Sequence, residues 1–331
     1  MSSTLLDDHD VVLFDLDGTV YRGGELVAGA LEAVRSVHER AVPVRYVTNN
    51  ASKPARAVAD HLTGLGLAAA PEEVSTSAQA GASVLAAELP AGAAVLVVGS
   101  ASLADEVAAV GLAPVRRAAD EPVAVVQGHS TGTGWADLAE ACLAIRAGAR
   151  WVACNEDRTL PTERGLLPGN GAMVAALRAA TDREPLVAGK PERPLLDAAV
   201  ASAGARSPLM VGDRLDTDIA GAVTAGMPSL MVLTGVHQAV DLLAAPEGLR
   251  PDHLAADLSA LHRPAAETRI AAAAGWAARV EGGALELSGD GDALSALRAL
   301  CARRWAAGSG PLPVRAADER AGAVLVELGL S

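Results

Sequence analysis

The sequence is poor in aromatic residues and in cysteines, and each scarcity disfavours a class of protein. Its 331 residues include four Trp, two Tyr and one Phe. Sites for nucleotide bases use aromatic side chains as stacking platforms, so this composition disfavours such a site. Cys142, Cys154 and Cys301 are odd in number and far apart in the chain. They predict neither a disulfide framework nor a zinc site, and they favour a reducing cytoplasm.

Long apolar runs and an excess of basic residues are also missing. The chain contains no run of 18 apolar residues, which predicts that no helix spans a membrane. The acidic residues 1–10 lack the apolar core of a signal peptide. Lys and Arg number 27 against 40 Asp and Glu, and the net charge of −13 argues against a nucleic-acid partner. The composition leaves the oligomeric state open, a homo-oligomer included.

Residues 11–20, VVLFDLDGTV, carry the first chemical signal. The four apolar residues Val11–Phe14 predict a buried parallel strand, and Asp15 and Asp17 follow it. Side chains alternate along an extended segment, so both carboxylates point the same way. Two carboxylates this close repel each other unless a cation joins them or one takes a proton, and Mg²⁺ is the simplest such cation. The alternative is an acidic turn after a strand. An EF-hand would need a third acid and a closing Glu, which are missing here.

A second polar cluster, Thr48-Asn49-Asn50, follows the strand predicted at residues 43–47. The Thr48 hydroxyl and the neighbouring backbone N–H groups suit phosphate binding. The alternative is an ordinary cap between a strand and a helix. Lys53 lies in the following loop, and we predict a solvated side chain there.

Lysine is rare in this chain, which directs attention to Lys190. Lys53 and Lys190 are the two lysines among 27 basic residues. Lys190 stands in the sequence GKP, directly after a short strand predicted at residues 186–188. A chain that otherwise uses Arg keeps Lys where a compact point charge is needed, so we interpret Lys190 as a functional cation. A surface lysine in a turn is the alternative.

The segment GDRLDTDIAGA follows the strand predicted at residues 209–211 and holds three aspartates. Asp213 lies at the strand end, as Asp15 does, and is the best candidate for a metal ligand. Asp216 lies near the start of the following helix and can serve as its cap. The carboxyl ends of parallel strands share one edge of a sheet, and open α/β folds bind ligands at that edge. All four polar segments are therefore predicted there.

These four segments, in this order, resemble the four motifs of the haloacid dehalogenase-like (HAD) phosphatases. The resemblance covers about residues 8–262 and implies the Mg²⁺-dependent hydrolysis of a phosphomonoester. It implies that Asp15 attacks phosphorus and forms an aspartyl-phosphate, and that Asp17 is the general acid and base. The other implied roles are phosphate binding by Thr48, Asn49, Asn50 and Lys190, Mg²⁺ binding by the Asp15 and Asp213 carboxylates and the Asp17 backbone carbonyl, and support of the metal's water shell by Asp218.

An insert separates the second motif from the third. Residues 84–183 carry alternating strand and helix patterns and resemble the C2 cap of class IIA of this superfamily. Residues 155–173, rich in turn residues, resemble the cap loop that helps to select substrate. The predicted fold is therefore α/β. It has a HAD-like doubly wound parallel sheet core (residues 1–83 and 184–262), an inserted α/β C2 cap and a small α+β C-terminal domain (residues 263–331).

The C-terminal stretch has a different pattern. Its Ala-rich residues 268–275 predict a linker or spacer helix, and Gly282-Gly283 predicts a hairpin turn. The order of elements resembles the second half of a GNAT-type N-acetyltransferase. However, Asp290 and Asp292 stand where the helix N-terminus of that family would attract a pyrophosphate. We therefore predict a packing, regulatory or dimerising domain that buries apolar surface against the core or a second subunit.

The cap loop and the C-terminal stretch most resemble those of class IIA glycerol-3-phosphate phosphatases that carry a GNAT-like appendage. Phosphoglycolate, pyridoxal phosphate and nucleotide phosphatases are the close alternatives, although the scarcity of aromatics disfavours a base or a pyridoxal ring. Two further hypotheses are an acyltransferase with a degenerate phosphatase domain and a non-catalytic sensor of a phosphometabolite. Acetyl-CoA binding by the C-terminal stretch would support the first, and tight substrate binding without turnover would support the second.

Overall fold

The computed structural model describes residues 4–162, 164–308 and 312–331. The chain divides into two compact units, the first formed by Met1–Val44 with Ala203–Ser331 and the second by Arg45–Ser202. None of the helices in the described residues combines the length and the apolarity that a membrane crossing requires.

Strands alternate with helices over most of the described residues, which confirms the predicted α/β class. The strands are β1 Val11–Phe14, β2 Tyr21–Arg22, β3 Glu25–Leu26, β4 Val44–Thr48, β5 Val74–Thr76, β6 Ala94–Val98, β7 Ala113–Val115, β8 Ala124–Gln127, β9 Arg150–Ala153, β10 Thr159–Thr162, β11 Gly165–Pro168, β12 Leu186–Val187, β13 Pro208–Gly212, β14 Ser229–Val232, β15 His253–Ala255, β16 Trp276–Glu281, β17 Ala284–Gly289 and β18 Val314–Ala316.

The α-helices of the described residues range in length from 4 to 14 residues. They are α1 Ala30–Glu39, α2 Ala55–Gly64, α3 Ser77–Glu88, α4 Ala101–Ala109, α5 Trp135–Arg146, α6 Asn170–Thr181, α7 Arg193–Ala203, α8 Ala220–Ala225, α9 Ala239–Ala244, α10 Ala265–Thr268, α11 Ala293–Ala306 and α12 Glu319–Glu327. A π-helical turn, Leu215–Ile219, precedes α8.

In the first unit, strands β15, β14, β13 and β1 lie side by side in that order, and neighbouring strands are parallel. All residues of β1, β14 and β15 are buried, as expected for a parallel sheet with both faces covered. Phe14 pairs with Val211, and the Asp15 N–H donates to the Val211 carbonyl at 2.9 Å. Strands β1 and β13 therefore end together, so the aspartates that follow them start at the same edge.

The C-terminal residues of the first unit form a three-stranded sheet, β16–β17–β18, with α11 and α12. Strands β16 and β17 are an antiparallel hairpin that turns at Gly282 and Gly283. Their φ angles of 54° and 75° are positive, as a two-residue hairpin turn of this kind requires. The predicted hairpin is confirmed.

An apolar cluster joins this small sheet to the rest of the first unit. Met231 and Leu242 share a buried core with Leu297 of α11, and all three are fully buried. The Trp305 indole N–H also donates to the Leu242 carbonyl at 3.1 Å. The expected burial of apolar surface against the core is therefore realised within the chain.

Of the two alternatives predicted for residues 268–275, the linker agrees with the structure and the spacer helix is wrong over most of its length. Helix α10 ends at Thr268, and Arg269 is already extended, with φ −60° and ψ 137°. Four alanines favour a helix, but an isolated helix this short is unstable in water without packing. The buried Thr268 hydroxyl lies 2.8 Å from Nδ1 of His253, which fixes the point where the helix stops.

The second unit contains a five-stranded parallel sheet in the order β12–β9–β8–β6–β7, and β4 pairs in parallel with β5. Val95 and Val97 of β6 pack with residues of α3 and α4. Leu96 and Val98 pack with residues of α5 and α6. Because successive side chains of a strand point to opposite faces, the sheet has a helical layer on each side.

The turn-rich residues 155–173 contain a hairpin that the sequence did not predict. Strands β10 and β11 form this antiparallel hairpin, and α6 begins after it at Asn170, where the sequence predicts a helix. Both strands are exposed along their length, so the apolar alternation of a half-buried strand is not there to mark them. Strand β12 pairs with β9, so this sheet takes residues from both sides of the boundary predicted at 183/184. The predicted domain boundaries stay predictions.

Candidate active site

Three carboxylates meet at the edge of the parallel sheet in the first unit. Asp15 follows β1, Asp213 follows β13, and Asp218 lies in the π-helical turn beyond it. One oxygen of each carboxylate lies within 4.8 Å of the others, and we call these three groups the acidic cluster. Asp213 and Asp218 are 0% exposed. Buried like charges at this distance are unfavourable unless a cation or a proton neutralises them.

Hydrogen bonds hold both oxygens of the Asp213 carboxylate. The Thr19 hydroxyl donates to Oδ1 at 3.2 Å, and the Val236 N–H donates to Oδ2 at 2.7 Å. The His237 N–H donates to the Asp213 backbone carbonyl at 3.4 Å. Bonds of this kind orient a carboxylate and so prepare it to act as a metal ligand.

Two glycines leave the space that the Asp213 carboxylate occupies. Gly18 has a φ of +92°, and a Cβ at this position would lie 2.5 Å from Asp213 Oδ2. A Cβ on Gly235 would overlap the same carboxylate. Gly18 therefore meets two demands at once, a left-handed backbone and a close approach of another side chain.

Asp17 is exposed and is not one of the three clustered carboxylates. The turn after it closes where the Gly18 N–H donates to the Tyr21 carbonyl at 2.8 Å. Burial raises the pKa of the Tyr21 hydroxyl, and the negative charges of Asp17 and Asp15 raise it further. Tyr21 therefore keeps its proton in the neighbourhood of these two aspartates.

Asp216, predicted as a possible helix cap, forms an ion pair instead. Its carboxylate lies 2.9 Å from the Arg214 guanidinium, and Arg214 itself is the residue at the start of the turn. Burial acts to raise the pKa of Asp216, but the hydrogen bonds and charge of Arg214 outweigh it and lower that pKa. The backbone N–H of Arg214 donates to Asp218 Oδ2 at 3.1 Å. This bond orients the third carboxylate of the acidic cluster.

In the second unit, the predicted polar cluster folds into local turns at the end of β4. The Asn50 N–H donates to Thr48 Oγ1 at 3.1 Å, and the Ser52 N–H donates to Asn50 Oδ1 at 2.8 Å. Such bonds compete with regular secondary structure and shape the loop. Helix α2 has Pro54 at its N-cap, so Thr48 and Asn50 do not cap it and the alternative of an ordinary helix cap is wrong.

Lys190 is 2% exposed, so the alternative of a surface lysine is wrong. Its Nζ donates to the Val47 carbonyl at 3.1 Å. The Asn49 side chain bonds the Lys190 backbone, accepting from its N–H at 2.8 Å and donating to its carbonyl at 2.9 Å. The structure therefore brings two of the predicted phosphate-binding residues together. Lys53, as expected, is exposed.

Sequence reasoning missed the loop at residues 234–237 and the pair Asn155 and Asp157. Asn155 Nδ2 donates to the Asn49 carbonyl at 2.6 Å, and Asn49 Nδ2 donates to Asp157 Oδ2 at 3.2 Å. The loop follows β14, and Asn155 and Asp157 follow β9. The rule that polar residues after parallel strands mark the functional edge would have found both.

The acidic cluster has the chemistry of a site for a hard divalent cation. Mg²⁺ prefers oxygen ligands and binds through one or two carboxylates while it keeps several waters. A bound cation would also offset the mutual repulsion of Asp15, Asp213 and Asp218. Among the described residues these three side chains are the ones that could hold such an ion together.

Comparison with known proteins agrees with this geometry. Residues 12–113 match the model of the haloacid dehalogenase-like hydrolases, residues 187–261 a second HAD-like hydrolase model, and residues 273–330 the GCN5-related N-acetyltransferase-like domain. The chain is 52% identical to the D-glycerol 3-phosphate phosphatase of Mycobacterium tuberculosis (strain ATCC 25618 / H37Rv), over 97% of this chain and 94% of that protein. It is 40% identical to the 5'-nucleotidase YutF of Bacillus subtilis (strain 168), over 68% of this chain and 87% of that protein. The crystal structure of a glycerol phosphate phosphatase from Mycobacterium tuberculosis in complex with magnesium matches with a TM-score of 0.96 and 51% identity, over 100% of both chains.

The chain belongs to the haloacid dehalogenase-like hydrolases. Within this class it is a phosphoric monoester hydrolase. The family, the fold and the GNAT-like character of the C-terminal residues are therefore confirmed. The roles of the individual site residues stay predictions.

Proposed function

We propose that the chain is a Mg²⁺-dependent phosphatase that hydrolyses glycerol 3-phosphate. The observation that carries this proposal is its similarity, over 97% of its length, to a phosphatase of that substrate. The 5'-nucleotidase relative matches 68% of the chain, and seven aromatic residues offer little for a base to stack on. Glycerol 3-phosphate is therefore favoured over a nucleotide.

The proposed chemistry uses two aspartates in turn. Asp15 attacks the phosphorus and forms an aspartyl-phosphate, while Asp17 protonates the leaving alkoxide. Asp17 then takes a proton from the water that hydrolyses the aspartyl-phosphate. Its exposed position supports this role, because a general acid and base must reach the substrate oxygen and water. The phosphate-binding groups are assigned to Thr48, Asn49, Asn50 and Lys190.

The relative's structure contains magnesium, and Mg²⁺ when bound would neutralise charge on the phosphoryl group. The Asp15 and Asp213 carboxylates and the Asp17 backbone carbonyl would hold it, and Asp218 would support its water ligands. The Thr19 hydroxyl contributes by keeping Asp213 oriented.

The C-terminal residues support packing rather than acetyl transfer. The Asp292 carboxylate caps α11, accepting from the Ser295 N–H at 2.8 Å and from the Ser295 hydroxyl at 2.6 Å. A carboxylate therefore occupies the helix N-terminus that a pyrophosphate would need. We assign these residues a structural role, in line with the apolar cluster they share with the core.

We further propose that the substrate is the protein's small-molecule partner and that no nucleic acid or membrane takes part. The net charge of −13 supports this, since polyanions would be repelled. The three cysteines are free, which supports a cytoplasmic location. Light scattering distinguishes a monomer from the homo-oligomer that the composition leaves open.

Phosphate release from a panel of substrates tests the proposed function. The panel contains both enantiomers of glycerol 3-phosphate, phosphoglycolate, pyridoxal phosphate and a nucleoside monophosphate, each with Mg²⁺ and with a chelator. We expect the highest kcat/KM for one glycerol 3-phosphate enantiomer and no release with the chelator. A higher kcat/KM for another substrate would overturn the substrate assignment. Tight binding without release from any of them would indicate a sensor instead.

A further inference from the structure

The side-chain amide of Asn49 forms two hydrogen bonds with the backbone of Lys190. Its Oδ1 accepts from the Lys190 N–H at 2.8 Å, and its Nδ2 donates to the Lys190 carbonyl at 2.9 Å. The reverse orientation of the amide would set Nδ2 against the Lys190 N–H, donor against donor. The orientation is therefore fixed by chemistry, and we call this pair of bonds the Asn49 clamp.

The second hydrogen of the Asn49 amide is also engaged. Nδ2 donates to Asp157 Oδ2 at 3.2 Å. A carboxamide has two N–H donors, and these two bonds use both. A phosphate oxygen accepts hydrogen bonds and would find at this amide the remaining lone pair of Oδ1, which repels it. The Asn49 side chain therefore has no N–H donor left for a phosphate oxygen.

Asp157 is itself held next to the Asn49 clamp. Its N–H donates to Asn155 Oδ1 at 3.2 Å, and Asn155 Nδ2 donates to the Asn49 carbonyl at 2.6 Å. Asn170, 1% exposed, in turn donates from Nδ2 to the Asn155 carbonyl at 2.7 Å. A chain of buried amides therefore links the clamp to the residues before and after the exposed hairpin β10–β11.

The backbone next to Lys190 is closely confined, and the Asn49 side chain is one of the groups that confine it. A Cβ on Gly189 would lie 2.5 Å from the Cys154 carbonyl oxygen and 2.6 Å from Asn49 Oδ1. The Lys190 ammonium group reaches the Val47 carbonyl from this fixed point. A shift of the Lys190 backbone would move the ammonium group by a similar distance.

We infer that the Asn49 side chain is a positioning residue that acts through Lys190, with Asp157 orienting its amide, and that it is not itself a phosphate ligand. This inference rests on the proposed phosphatase function and on phosphate binding by Lys190. It leaves the Thr48 hydroxyl, whose oxygen accepts from the Asn50 N–H while its own proton can be donated, and the Asn49 backbone N–H as the phosphate-binding groups proposed for these two residues.

A double-mutant cycle on kcat/KM for glycerol 3-phosphate tests the role of Asn49. Its four proteins are wild type, Asn49→Ala, Lys190→Met and the double variant, with thermal melting to show that each folds. We expect Asn49→Ala to lower kcat/KM about 10-fold in the wild-type background and less than about 2-fold in the Lys190→Met background, because coupled residues are not additive. Equal losses in both backgrounds would mean that Asn49 acts independently of Lys190 and would overturn the inference.

Two variants of Asp157 distinguish the loss of its bond to Asn49 from a general loss of structure. Asp157→Asn keeps an oxygen that accepts from Asn49 Nδ2, whereas Asp157→Ala removes it. We expect a loss of roughly 5-fold in kcat/KM for Asp157→Ala and wild-type kcat/KM for Asp157→Asn, since the bond is what matters. Equal impairment of the two variants would contradict the role of Asp157. A wild type that releases no phosphate would overturn the proposed function, whereas an active wild type with an additive cycle would overturn only the role of Asn49.

Discussion

The acidic cluster of the first unit and the surroundings of Lys190 in the second both bury charge, but they do so differently. Asp213 and Asp218 are fully buried beside another carboxylate, so the cluster concentrates one sign. Lys190 is a single cation whose ammonium group bonds a backbone carbonyl and whose backbone is held by a neutral amide. The first arrangement is stabilised by a bound cation or by a proton, and the second suits an anionic ligand. The proposed hydrolysis of a phosphate ester makes use of both kinds of group.

The largest effect is expected from Asp15→Asn, which removes one charge from the acidic cluster. The amide is a poor nucleophile and a weaker ligand for Mg²⁺, so we expect kcat to fall at least ~10³-fold, about 4 kcal/mol of barrier. Phosphate release at saturating substrate measures it. Turnover near the wild-type rate would remove Asp15 from the mechanism.

Lys190→Met tests the opposite charge. We expect kcat/KM to fall by about 10²-fold, because a preorganised cation near the phosphoryl group is lost while most of the side-chain volume is kept. The control is the melting temperature, which should stay close to wild type or rise, since a buried charge is removed. Unchanged kinetics in a folded variant would leave Lys190 without a role in phosphate binding.

Thr19→Val weakens the acidic cluster without changing its charge. The Thr19 hydroxyl donates to Asp213 Oδ1, and valine has nearly the same shape without the donor. We expect the Mg²⁺ concentration for half-maximal activity to rise up to ~10-fold, as for other groups that orient metal ligands. Mg²⁺ titrations of activity and of melting temperature measure this rise. Thr19→Ser keeps the hydroxyl and is expected to restore the wild-type values, so a rise in both variants would point to packing instead.

His253 lies outside the acidic cluster and the surroundings of Lys190. Its substitution therefore tests the stability of the protein without changing a proposed active-site residue. Burial lowers the pKa of His253 to about 4, so the folded protein keeps it neutral where an unfolded chain, with a pKa near 6.5, takes up a proton. The stabilisation from the neutral imidazole is complete above pH 6.5 and is lost as the pH falls through 4. The free energy of unfolding of the wild type should fall on acidification. With allowance for solvent screening, we expect this fall to be about 1–2 kcal/mol smaller in His253→Asn. Denaturant melts at pH 7 and pH 4.5 measure it, and the same pH slope in both proteins would contradict the assignment.

The sequence predicted those features that depend on a strand and the residues directly after it. Asp15, Asp213 and the Thr48 turn were found because an apolar run followed by polar residues marks a strand end. The bond from Asn155 to Asn49 joins residues far apart in the chain, and no local pattern shows it. The strand-end rule locates the loop at residues 234–237, but it does not predict the bond from the Val236 N–H to Asp213, because every residue except proline has a backbone donor.

The two structural errors have a different cause. The exposed hairpin β10–β11 lacks a buried face, so the alternation that reveals strands is missing. The Ala-rich residues after Thr268 have a strong helical tendency, but the bond between Thr268 and His253 stops the helix. The helix propensity of alanine favoured a helix in the prediction, whereas tertiary contacts determine where α10 ends in the structure.

The apolar cluster that Met231 and Leu242 share with α11 has a consequence for synthesis of the chain. A ribosome completes the four strands β1, β13, β14 and β15 of the parallel sheet in the first unit before it reaches Leu297 and Trp305. Until those residues emerge, Met231 and Leu242 lack the part of their cover that α11 supplies, and transiently exposed apolar surface of this kind favours aggregation. The residues from Trp276 onward therefore complete the core of the first unit, although they contribute no proposed catalytic group.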